Sequence, residues 1–315
     1  METSAPINPL RTIVVLGPTG GGKSSLAMAL ASRAPAEIVS ADSMQVYRGM
    51  DIGTAKPSVE DRKHVAHHML DIADPHREAP TVSDWLRGAR AAMHSIHARG
   101  RIAIVVGGTN LYMRALVDGL APIPPADESI RAELSSRTPT QLRAELEAVD
   151  PGAAARIHVN DNRRTIRALE VARLTGQSIS THQRQWGACI RDVPGDWLLV
   201  GLHWPVELIN RRINARVRDM MERGFLDEVR RLAVAGPLLP QARAAVGYDE
   251  LLSHVEGRVA LDEAIERTAI RTRRYAKQQR TWLRRFQAVP RSLWIDATDG
   301  DPEKWAARVA DNLIF

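Results

Sequence analysis

The sequence has little of three things that would point to particular classes of protein: cysteine, aromatic residues and long apolar runs. Its 315 residues include one cysteine, Cys189, which excludes an internal disulfide and a cysteine-rich zinc site and fits a reducing compartment. Aromatic residues make up only 4%, so the core must rely on aliphatic side chains. No apolar run approaches the ~20 residues of a membrane span. The first segment, METSAPINPLR, lacks the regions of a signal peptide. We therefore expect a cytoplasmic protein without membrane association.

Basic residues are in modest excess and are unevenly distributed. The formal net charge is +6 and the isoelectric point is about 9.9. Much of the excess lies in the second half of the chain, in the segments NRRTIR, NRRINARVR and RTRRYAKQQRTWLRRF. Clustered arginine and lysine favour a polyanionic partner such as nucleic acid, but they fit a solvated basic surface equally well. Charge alone leaves these two interpretations open.

The stretch GPTGGGKSS, Gly17 to Ser25, matches the phosphate-binding pattern G-x-x-x-x-G-K-[ST]. It follows the apolar run TIVVL and precedes the helical sequence LAMALAS, which is the context that the motif requires. The backbone N–H groups of Thr19 to Ser24 are expected to form an anion-binding nest at a helix N-terminus. Lys23 is expected to reach phosphate oxygens, and Ser24 to offer its hydroxyl to Mg²⁺. The predicted phosphate site comprises Gly17, Pro18, Thr19, Gly20, Gly21, Gly22, Lys23 and Ser24.

The chain lacks the acidic residue that usually holds Mg²⁺ in triphosphate enzymes. The best central strand, RIAIVV, runs into GGTNLY, with no aspartate at its end. Asp71 in HHMLDI is a weak substitute. Asp42 has a more suitable placement, after the second strand and within the polar segment ADSMQVYRGMDIGTAKP. Loops at strand ends carry function, but aspartate in such a position is also a common turn former, so both roles stay open.

Strands and helices alternate in the first 119 residues. Apolar and β-branched runs predict strands over Arg11–Leu16, Glu37–Asp42, His67–Ile72 and Arg101–Gly108. Helices are predicted from Lys23 to Arg33 and over TVSDWLRGARAAMHSIHARG, which Thr81 or Ser83 caps and Gly100 ends. The alternation implies right-handed βαβ units and a parallel sheet, with ligands at the carboxyl ends of its strands.

The pattern changes after Gly119. The proline-rich LAPIPPADES indicates a linker, and helices alone are predicted from Asp127 to about Gly176. A strand pattern returns at Asp196–Trp204, and it is followed by several helices, the short strand SLWID and a final helix. We predict an α/β fold: a P-loop parallel sheet core with helices on both faces, a helical insertion domain and a helical C-terminal region. The predicted domains are residues 1–119 (first part of the core), 120–187 (helical insertion) and 188–315 (core completion and basic C-terminal helices).

Seven segments occur in the order seen in one enzyme family. They are GPTGGGKS, ADSMQVYRGMDIGTAKPS, HHMLDI, VGGTNLYMRAL, RRTIRALEV, RINARVRDMMERGFLDEV and AKQQRTWLRRF. The chain resembles the tRNA dimethylallyltransferases, also called tRNA isopentenyl-pyrophosphate transferases, from about Thr12 to Phe286. The resemblance implies that N6 of an adenosine at tRNA position 37, next to the anticodon, attacks C1 of dimethylallyl pyrophosphate, and that pyrophosphate leaves. The P-loop is then expected to bind the pyrophosphate of the prenyl donor.

The resemblance also implies roles for individual residues. Asp42 matches the family's general base, which accepts the proton of a weakly nucleophilic amine. Lys23, the P-loop amides, Mg²⁺ and Arg216 are expected to stabilise the leaving group. Thr109 is expected to lie near the same oxygens or the tRNA. The target base must leave its stack to react, and the residues that match contacts to the flipped adenine are Asp42, Ser43, Met44 and Gln45.

The expected tRNA contacts follow the basic segments. The resemblance implies that the helical insertion and the C-terminal helices contact the anticodon stem-loop. The residues expected to make these contacts are Arg131, Arg163, Arg164, Arg167, Arg273, Lys277 and Arg280. The chain departs from the family in the glycines at 20 and 21, in Ser24 for threonine, in Ala66 for proline, and in Asp249, where a basic residue is common. Asp249 puts one tRNA phosphate contact in doubt. A monomer bound to one tRNA is the expected assembly, and the sequence leaves open which tRNAs are modified and whether the prenyl group is modified further.

Other interpretations of these residues stay open. The loop and sheet also suit a P-loop kinase of a small metabolite, and the acceptor could be free AMP or ADP instead of tRNA. A non-catalytic RNA-binding protein is a third possibility, against which Lys23, Ser24 and Asp42 argue. Structural roles are expected for the adjacent His67 and His68, which point to opposite faces of a strand. Core positions are expected for Trp282, Met220 and Met221.

Overall fold

The computed structural model describes residues 10–183 and 193–312, so Cys189 lies outside the described residues. The chain forms two compact units. One unit combines Met1–Val117 with Ile190–Phe315, and the other is Asp118–Cys189. We call them the α/β unit and the helical unit.

A single six-stranded sheet forms the centre of the α/β unit. All its neighbouring strands are parallel, in the order β3-β2-β4-β1-β5-β6. The two central strands, β1 and β4, are apolar except for the buried Thr12, as expected where both faces of a sheet are covered. This parallel P-loop sheet confirms the predicted fold class. The strands are β1 (Thr12–Leu16), β2 (Ala36–Ser40), β3 (His67–His68), β4 (Ile102–Val106), β5 (Trp197–His203) and β6 (Ser292–Asp296).

The third strand is much shorter than the predicted His67–Ile72. Only two residues pair with β2, because Met69 and Asp71 adopt positive φ angles of 65° and 55°, which a β-strand cannot accommodate. The carboxylate of Asp71 is bound by Lys56 at 2.6 Å and by Arg62 at 2.7 Å. Tertiary ion pairs therefore turn the chain away from the sheet. They also make Asp71 a structural residue and remove it as a substitute for a metal-binding aspartate.

Helices account for most of the remaining chain. The longer of the two helices predicted in the first 119 residues, the one that Thr81 or Ser83 should cap, is confirmed. The hydroxyl of Thr81 accepts a hydrogen bond from the Asp84 amide, and Gly100 follows the helix with a φ of 68°. No helix in the described ranges is both long and apolar enough to cross a membrane. In chain order, the helices are α1 (Lys23–Ala31), α2 (Val59–His64), α3 (Val82–Ala98), α4 (Asn110–Asp118), α5 (Glu128–Ser135), α6 (Pro139–Val149), α7 (Pro151–Arg156), α8 (Asn162–Thr175), α9 (Ile179–His182), α10 (Val206–Glu222), α11 (Phe225–Ala235), α12 (Pro240–Arg243), α13 (Tyr248–Val255), α14 (Leu261–Leu283) and α15 (Pro302–Asp311).

Apolar packing on the sheet holds the strand ends and the neighbouring helices in place. One cluster joins Ile13 and Val15 of β1 to side chains of α1, α10 and α15, including Ile213 and Trp305. Helix α3 packs against β2 and β4 through residues outside this cluster. Its Trp85 is buried and donates its indole N–H to the carbonyl of Ser40 at the end of β2. The ends of β1, β2 and β4 are thereby rigidly supported.

The helical unit has a core of its own, made of leucine, alanine and valine. Helices α5, α6, α7 and α8 bury Leu134, Leu142, Leu146 and Leu169. The fully buried carboxylate of Glu170 lies among them and accepts hydrogen bonds from the side chains of two arginines and from one backbone amide. The prediction of helices alone from Asp127 to about Gly176 is confirmed.

Candidate active site

A cavity of about 500 Å³ opens at the carboxyl ends of the strands, where a parallel sheet is expected to hold its ligand. Its walls come from the P-loop, the segments after β2 and β4, the loop before α2, and helices α10 and α14. Among the residues predicted from sequence, those that line it are Thr19, Gly20, Gly21, Gly22, Lys23, Ser24, Asp42, Gln45 and Arg216. Residues as far apart in sequence as Thr19 and Gln279 thus line one cavity.

The P-loop is shaped by its glycines. Gly20 and Gly22 have φ angles of 75° and 85°, and a Cβ on Gly22 would lie 2.9 Å from the ring of Trp305. The carbonyl of Gly20 accepts a hydrogen bond from Arg212 at 3.0 Å, and that of Gly21 accepts one from the indole of Trp204 at 3.0 Å. Side chains that follow β5 therefore bind the carbonyl side of the loop.

Two amides of the loop are engaged within the protein, contrary to the prediction of a complete nest from Thr19 to Ser24. The Thr19 amide donates to the side chain of Gln279 at 2.7 Å, and the Gly21 amide donates to the carbonyl of Pro18 at 3.1 Å. An anion would be bound by the remaining amides of the loop at the start of α1.

Two cations and one carboxylate face each other across the cavity. Burial lowers the pKa of Lys23 to about 8, the nearby Arg216 guanidinium adds to the shift, and the carboxylate of Asp42 opposes it. Burial also lowers the pKa of Arg216, again against Asp42. The Lys23 ammonium donates to the carbonyl of Pro18 at 2.9 Å. Because one carboxylate faces two partly desolvated cations, the cavity favours an anionic ligand.

Asp42 follows β2, where it forms the turn expected from the sequence and also lines the cavity, while its functional role stays a prediction. Its Oδ1 accepts a hydrogen bond from the Met44 amide at 2.9 Å, which is the turn expected of an aspartate two residues before an amide. The same carboxylate interacts electrostatically with Lys23, Arg216 and Tyr275 in the cavity. The turn thus orients a carboxylate toward the two cations.

Thr109 connects the end of β4 to the Asp42 loop. Its Oγ1 accepts the Ser43 amide at 2.9 Å and donates to the Ser43 hydroxyl at 3.1 Å, and its amide donates to the carbonyl of Ala41. Gly107 allows this contact, because a Cβ there would lie 2.1 Å from the Ala41 oxygen. Thr109 therefore supports the loop that carries Asp42.

Gln45, predicted to contact the target adenine, has its side chain fully engaged. Its Oε1 accepts the hydroxyl of Ser40 at 2.9 Å, and its Nε2 donates to the carbonyls of Thr54 and Ala55 at 3.2 Å. An adenine contact through this amide would have to replace one of these bonds. The contact remains a prediction.

Buried charges support the segment after Asp42, and the sequence analysis missed them. The ammonium of Lys56 binds Asp51 and Asp71, each at 2.6 Å. The carboxylate of Glu228, 1% exposed, accepts the amides of residues 51 to 53 and the hydroxyl of Tyr248. The polar character of the segment signalled specific contacts, but its partner Glu228 lies about 175 residues away in α11.

Helix α14 contributes two cavity residues that the sequence analysis also missed, Tyr275 and Gln279. The Tyr275 hydroxyl donates to the carbonyl of Gly108 at 2.9 Å, and burial raises its pKa with a smaller effect of Asp42. Their spacing of four residues places them on one face of the helix. This spacing could have identified the two residues from sequence, but the neighbouring basic residues suggested a charged surface instead.

The basic residues of α14 differ in their surroundings. Arg273 donates to Asn214 at 2.6 Å and pairs with Glu266 at 3.2 Å, whereas Lys277 is exposed. Arg280 has a buried Nη1 without a hydrogen-bond partner in the described part of the chain. Their predicted contacts to tRNA are not tested by this geometry.

The predicted core positions are only partly correct. Trp282 is half-buried and stacks beneath two guanidinium groups, those of Arg114 at 5.7 Å and Arg285 at 4.4 Å, so the expectation of a core tryptophan is wrong. The two arginines occupy the space that apolar side chains would fill around a core residue. Met220 is buried as expected, whereas Met221 is half-exposed.

In the helical unit, two of the predicted tRNA-binding arginines bind an internal carboxylate. Arg131 and Arg167 donate to Glu170 at 2.9 Å and 2.6 Å. Arg164 lies 3.4 Å from Asp161, and Arg163 is exposed. The sequence analysis missed Glu170, whose position inside the helix gave no signal of its burial.

His68 has the predicted structural role, whereas His67 also lines the cavity. His68 bonds to Glu37 at 2.7 Å, and His67 bonds to the carbonyl of Val65 at 2.8 Å. No group of three histidine, cysteine or carboxylate side chains within residues 10–183 and 193–312 could hold a metal ion. The Ser24 hydroxyl is exposed at the start of α1 and could serve as a P-loop ligand of Mg²⁺, with the remaining ligands supplied by a bound anion and water.

Comparisons with known proteins agree with this geometry. The family model described as IPP transferase matches residues 45–286, and the model described as isopentenyl transferase matches residues 10–75. The tRNA dimethylallyltransferase of Geobacter metallireducens is 45% identical over 91% of this chain and 92% of its own length. That of Geobacillus thermodenitrificans is 44% identical over 96% and 94%.

Solved structures give the same result. The crystal structure of the tRNA isopentenylpyrophosphate transferase from Bacillus halodurans is 38% identical and has a TM-score of 0.69, with 96% of each chain covered. A eukaryotic dimethylallyltransferase captured acting on tRNA is 30% identical, with a TM-score of 0.81 over 96% of this chain and 77% of its own. With the family model covering most of its length and these relatives matching nearly end to end, this chain belongs to the IPP transferase family of tRNA dimethylallyltransferases.

Proposed function

We propose that this enzyme transfers the dimethylallyl group of dimethylallyl pyrophosphate to N6 of the adenosine at tRNA position 37 and releases pyrophosphate. One observation carries the proposal: a P-loop, two desolvated cations and the carboxylate of Asp42 face one cavity at the carboxyl edge of the sheet. This set can bind a leaving pyrophosphate and accept a proton in the same volume.

The leaving group is stabilised by fixed positive charge. As the C1–O bond of the donor breaks, negative charge grows on the pyrophosphate, and preorganised cations lower the energy of that state. The Lys23 ammonium has three donors, so it can bind phosphate oxygen while one of them keeps its bond to the Pro18 carbonyl. Arg216 supplies the second charge without rearrangement of a salt bridge. When bound, Mg²⁺ neutralises further charge on the pyrophosphate, and the Ser24 hydroxyl would hold it.

Asp42 acts as the general base. The amine of adenine is a poor nucleophile because its lone pair is delocalised into the ring, so removal of its proton as the C–N bond forms accelerates transfer. The turn bond from the Met44 amide to one carboxylate oxygen leaves the other oxygen for that proton. In this proposal Thr109 acts by holding Ser43, and the flipped adenine contacts Ser43, Met44 and Gln45.

The direct test is incubation of the protein with unmodified tRNA, labelled dimethylallyl pyrophosphate and Mg²⁺, followed by digestion of the tRNA. Labelled adenosine at position 37 is expected, and unlabelled digests would contradict the proposal. Competition between AMP and tRNA separates a tRNA prenyltransferase from one that uses free nucleotides. Phosphate transfer from ATP at a normal rate would instead indicate a P-loop kinase, a function that the glycines after β4 disfavour because no carboxylate stands there.

The anticodon stem-loop is the proposed partner of the basic residues Arg131, Arg163, Arg164, Arg167, Arg273, Lys277 and Arg280, with one tRNA bound to a monomer. Arg163 is the sharpest test because it is exposed and has no ion pair with a carboxylate among residues 10–183 and 193–312. We expect Arg163→Ala to weaken tRNA binding uniformly and to reduce the slope of log affinity against log salt by about 1, which corresponds to one phosphate contact. An unchanged slope in filter-binding titrations would remove Arg163 from the interface.

A further inference from the structure

Gln279 of α14 occupies an unusual position between two loops of the cavity. Its side chain is 1% exposed. The Oε1 atom accepts the amide of Thr19 in the P-loop at 2.7 Å, and the Nε2 atom donates to the carbonyl of Gly108 after β4 at 2.8 Å. Since an amide side chain has one accepting and one donating end, these two bonds determine which way it points.

The fit around this side chain is tight. A Cβ on Gly108 would lie 2.5 Å from Nε2 of Gln279, so only glycine lets the amide approach the loop backbone. The carbonyl of Gly108 accepts a second bond from the hydroxyl of Tyr275, one turn earlier in α14, at 2.9 Å. Two side chains of one helix therefore bind the same carbonyl, and only Gln279 extends to the P-loop.

The two bridged loops carry opposite halves of the proposed reaction. The P-loop holds Lys23, which contacts the leaving group. Gly108 precedes Thr109, which binds the amide and hydroxyl of Ser43 beside the base Asp42. A change in the distance between these loops would therefore change the distance between the prenyl carbon and the accepting amine.

We propose that Gln279 is a positioning residue that sets the separation between the pyrophosphate loop and the Asp42 loop; this inference rests on the proposed function. It touches neither substrate in our scheme and acts through Thr19 and Gly108. Misplacement of reacting groups by ~1 Å can reduce the rate about 10²-fold, so a bridge of this kind has a large kinetic effect without contributing to affinity.

The test compares Gln279→Met with Gln278→Met. Methionine has nearly the length of glutamine but cannot donate, and Gln278 is the adjacent, exposed residue of the same helix. With enzyme in excess of tRNA, at a concentration above the tRNA dissociation constant, and with saturating donor, all the tRNA is bound to folded enzyme, so the single-turnover rate constant reports on folded molecules alone. Circular dichroism and the melting temperature report whether each variant is folded. We expect Gln279→Met to lower the rate constant ~30- to 100-fold, with donor and tRNA dissociation constants within about threefold of wild type. Gln278→Met is expected to match wild type.

A second variant approaches the bridge from its other end. The methyl group that Gly108→Ala adds would lie too close to Nε2 of Gln279 and would displace it. The same methyl group would lie 3.9 Å from Nζ of Lys23, an ordinary contact distance. We expect the same loss of rate constant at unchanged affinities. A rate constant within threefold of wild type in either folded variant overturns the inference. A loss of donor affinity as large as the loss of the rate constant also overturns it. If wild-type enzyme itself labels no tRNA, the proposed function fails instead, so the two failures are distinguishable.

Discussion

Lys23 and Arg216 of the cavity and Arg173 of the helical unit have opposite surroundings. In the cavity, burial lowers the pKa of Lys23 and of Arg216, and Asp42 is the carboxylate that opposes both shifts. In the helical unit, hydrogen bonds from Arg173 to Glu145 and then Glu133 raise the pKa of Arg173. A cation whose pKa is lowered by burial gains from binding an external anion, whereas a paired cation already has its partner.

This difference teaches that basic composition alone does not identify a binding surface. Arg131 and Arg167 lie in segments that resemble tRNA contacts, yet both bind the buried Glu170. Removing either would leave a buried charge with fewer partners, which is a loss of stability before it is a loss of affinity. For Lys23 and Arg216 we expect the opposite: their substitution should reduce the reaction rate more than the stability.

The largest expected effect tests the carboxylate that faces the cavity cations. Asp42→Asn keeps an oxygen for the Met44 amide but cannot take up the proton of the amine. We expect turnover to fall about 10²- to 10⁴-fold, with tRNA affinity unchanged. Steady-state prenylation and filter binding measure the two quantities. Turnover close to wild type would show that another group accepts the proton.

Arg216→Gln tests the contribution of the second cavity cation. Loss of one preorganised charge on the leaving pyrophosphate is expected to lower the single-turnover rate constant about 10²- to 10³-fold while the melting temperature stays near that of wild type. Arg218→Gln, on an exposed position of the same helix, is the matched control. If both variants lose rate equally, the effect belongs to the charge of α10 as a whole.

Arg167→Ala tests the paired arginines of the helical unit. It removes the 2.6 Å bond to Glu170 and a bond to the carbonyl of Pro124, so the free energy of unfolding of this unit is expected to fall by about 2 kcal/mol. Hydrogen exchange of peptides within residues 118–183 measures this change. Arg163→Ala is the control and is expected to leave exchange unchanged. Equal protection from hydrogen exchange in both variants would argue against a structural role for the Arg167–Glu170 ion pair.

The pH dependence of donor capture tests the lowered pKa of Lys23. The ammonium is protonated below about pH 8 and loses its charge above it, so kcat/KM for the donor is expected to fall about tenfold per pH unit on the alkaline side. The value of kcat/KM falls rather than rises with pH because the group that binds pyrophosphate must be positively charged. Lys23→Arg, which stays charged, is expected to have lower activity without this alkaline fall. A fall that persists in Lys23→Arg would assign the titration to another group.

The local structures that the sequence predicted well are those encoded by neighbouring residues. Largely apolar runs gave β1 and β4, the P-loop pattern placed α1, and the segment SLWID forms β6. Thr81 caps α3 because its hydroxyl lies three residues before the amide that it accepts. Each of these depends on contacts within a few residues, and such contacts leave a readable spacing.

Two of the predictions that failed depend on partners outside the neighbouring residues. The third strand ends after His68 because Lys56 and Arg62 bind Asp71. The P-loop nest is incomplete at Thr19 because Gln279, 260 residues away in sequence, accepts its amide. No local pattern records either contact, since each forms only when the sheet brings separate segments together.

The sequence by itself determined the parallel sheet, the phosphate loop and, through its resemblance to one family, the reaction. Tertiary structure decided which cations remain available to an anion and which bind internal carboxylates. The physical reason is that charge is a property of a residue, whereas desolvation and pairing are properties of its surroundings. Lys23 and Arg216 are therefore distinguished from Arg131 and Arg167 by what the fold places beside them.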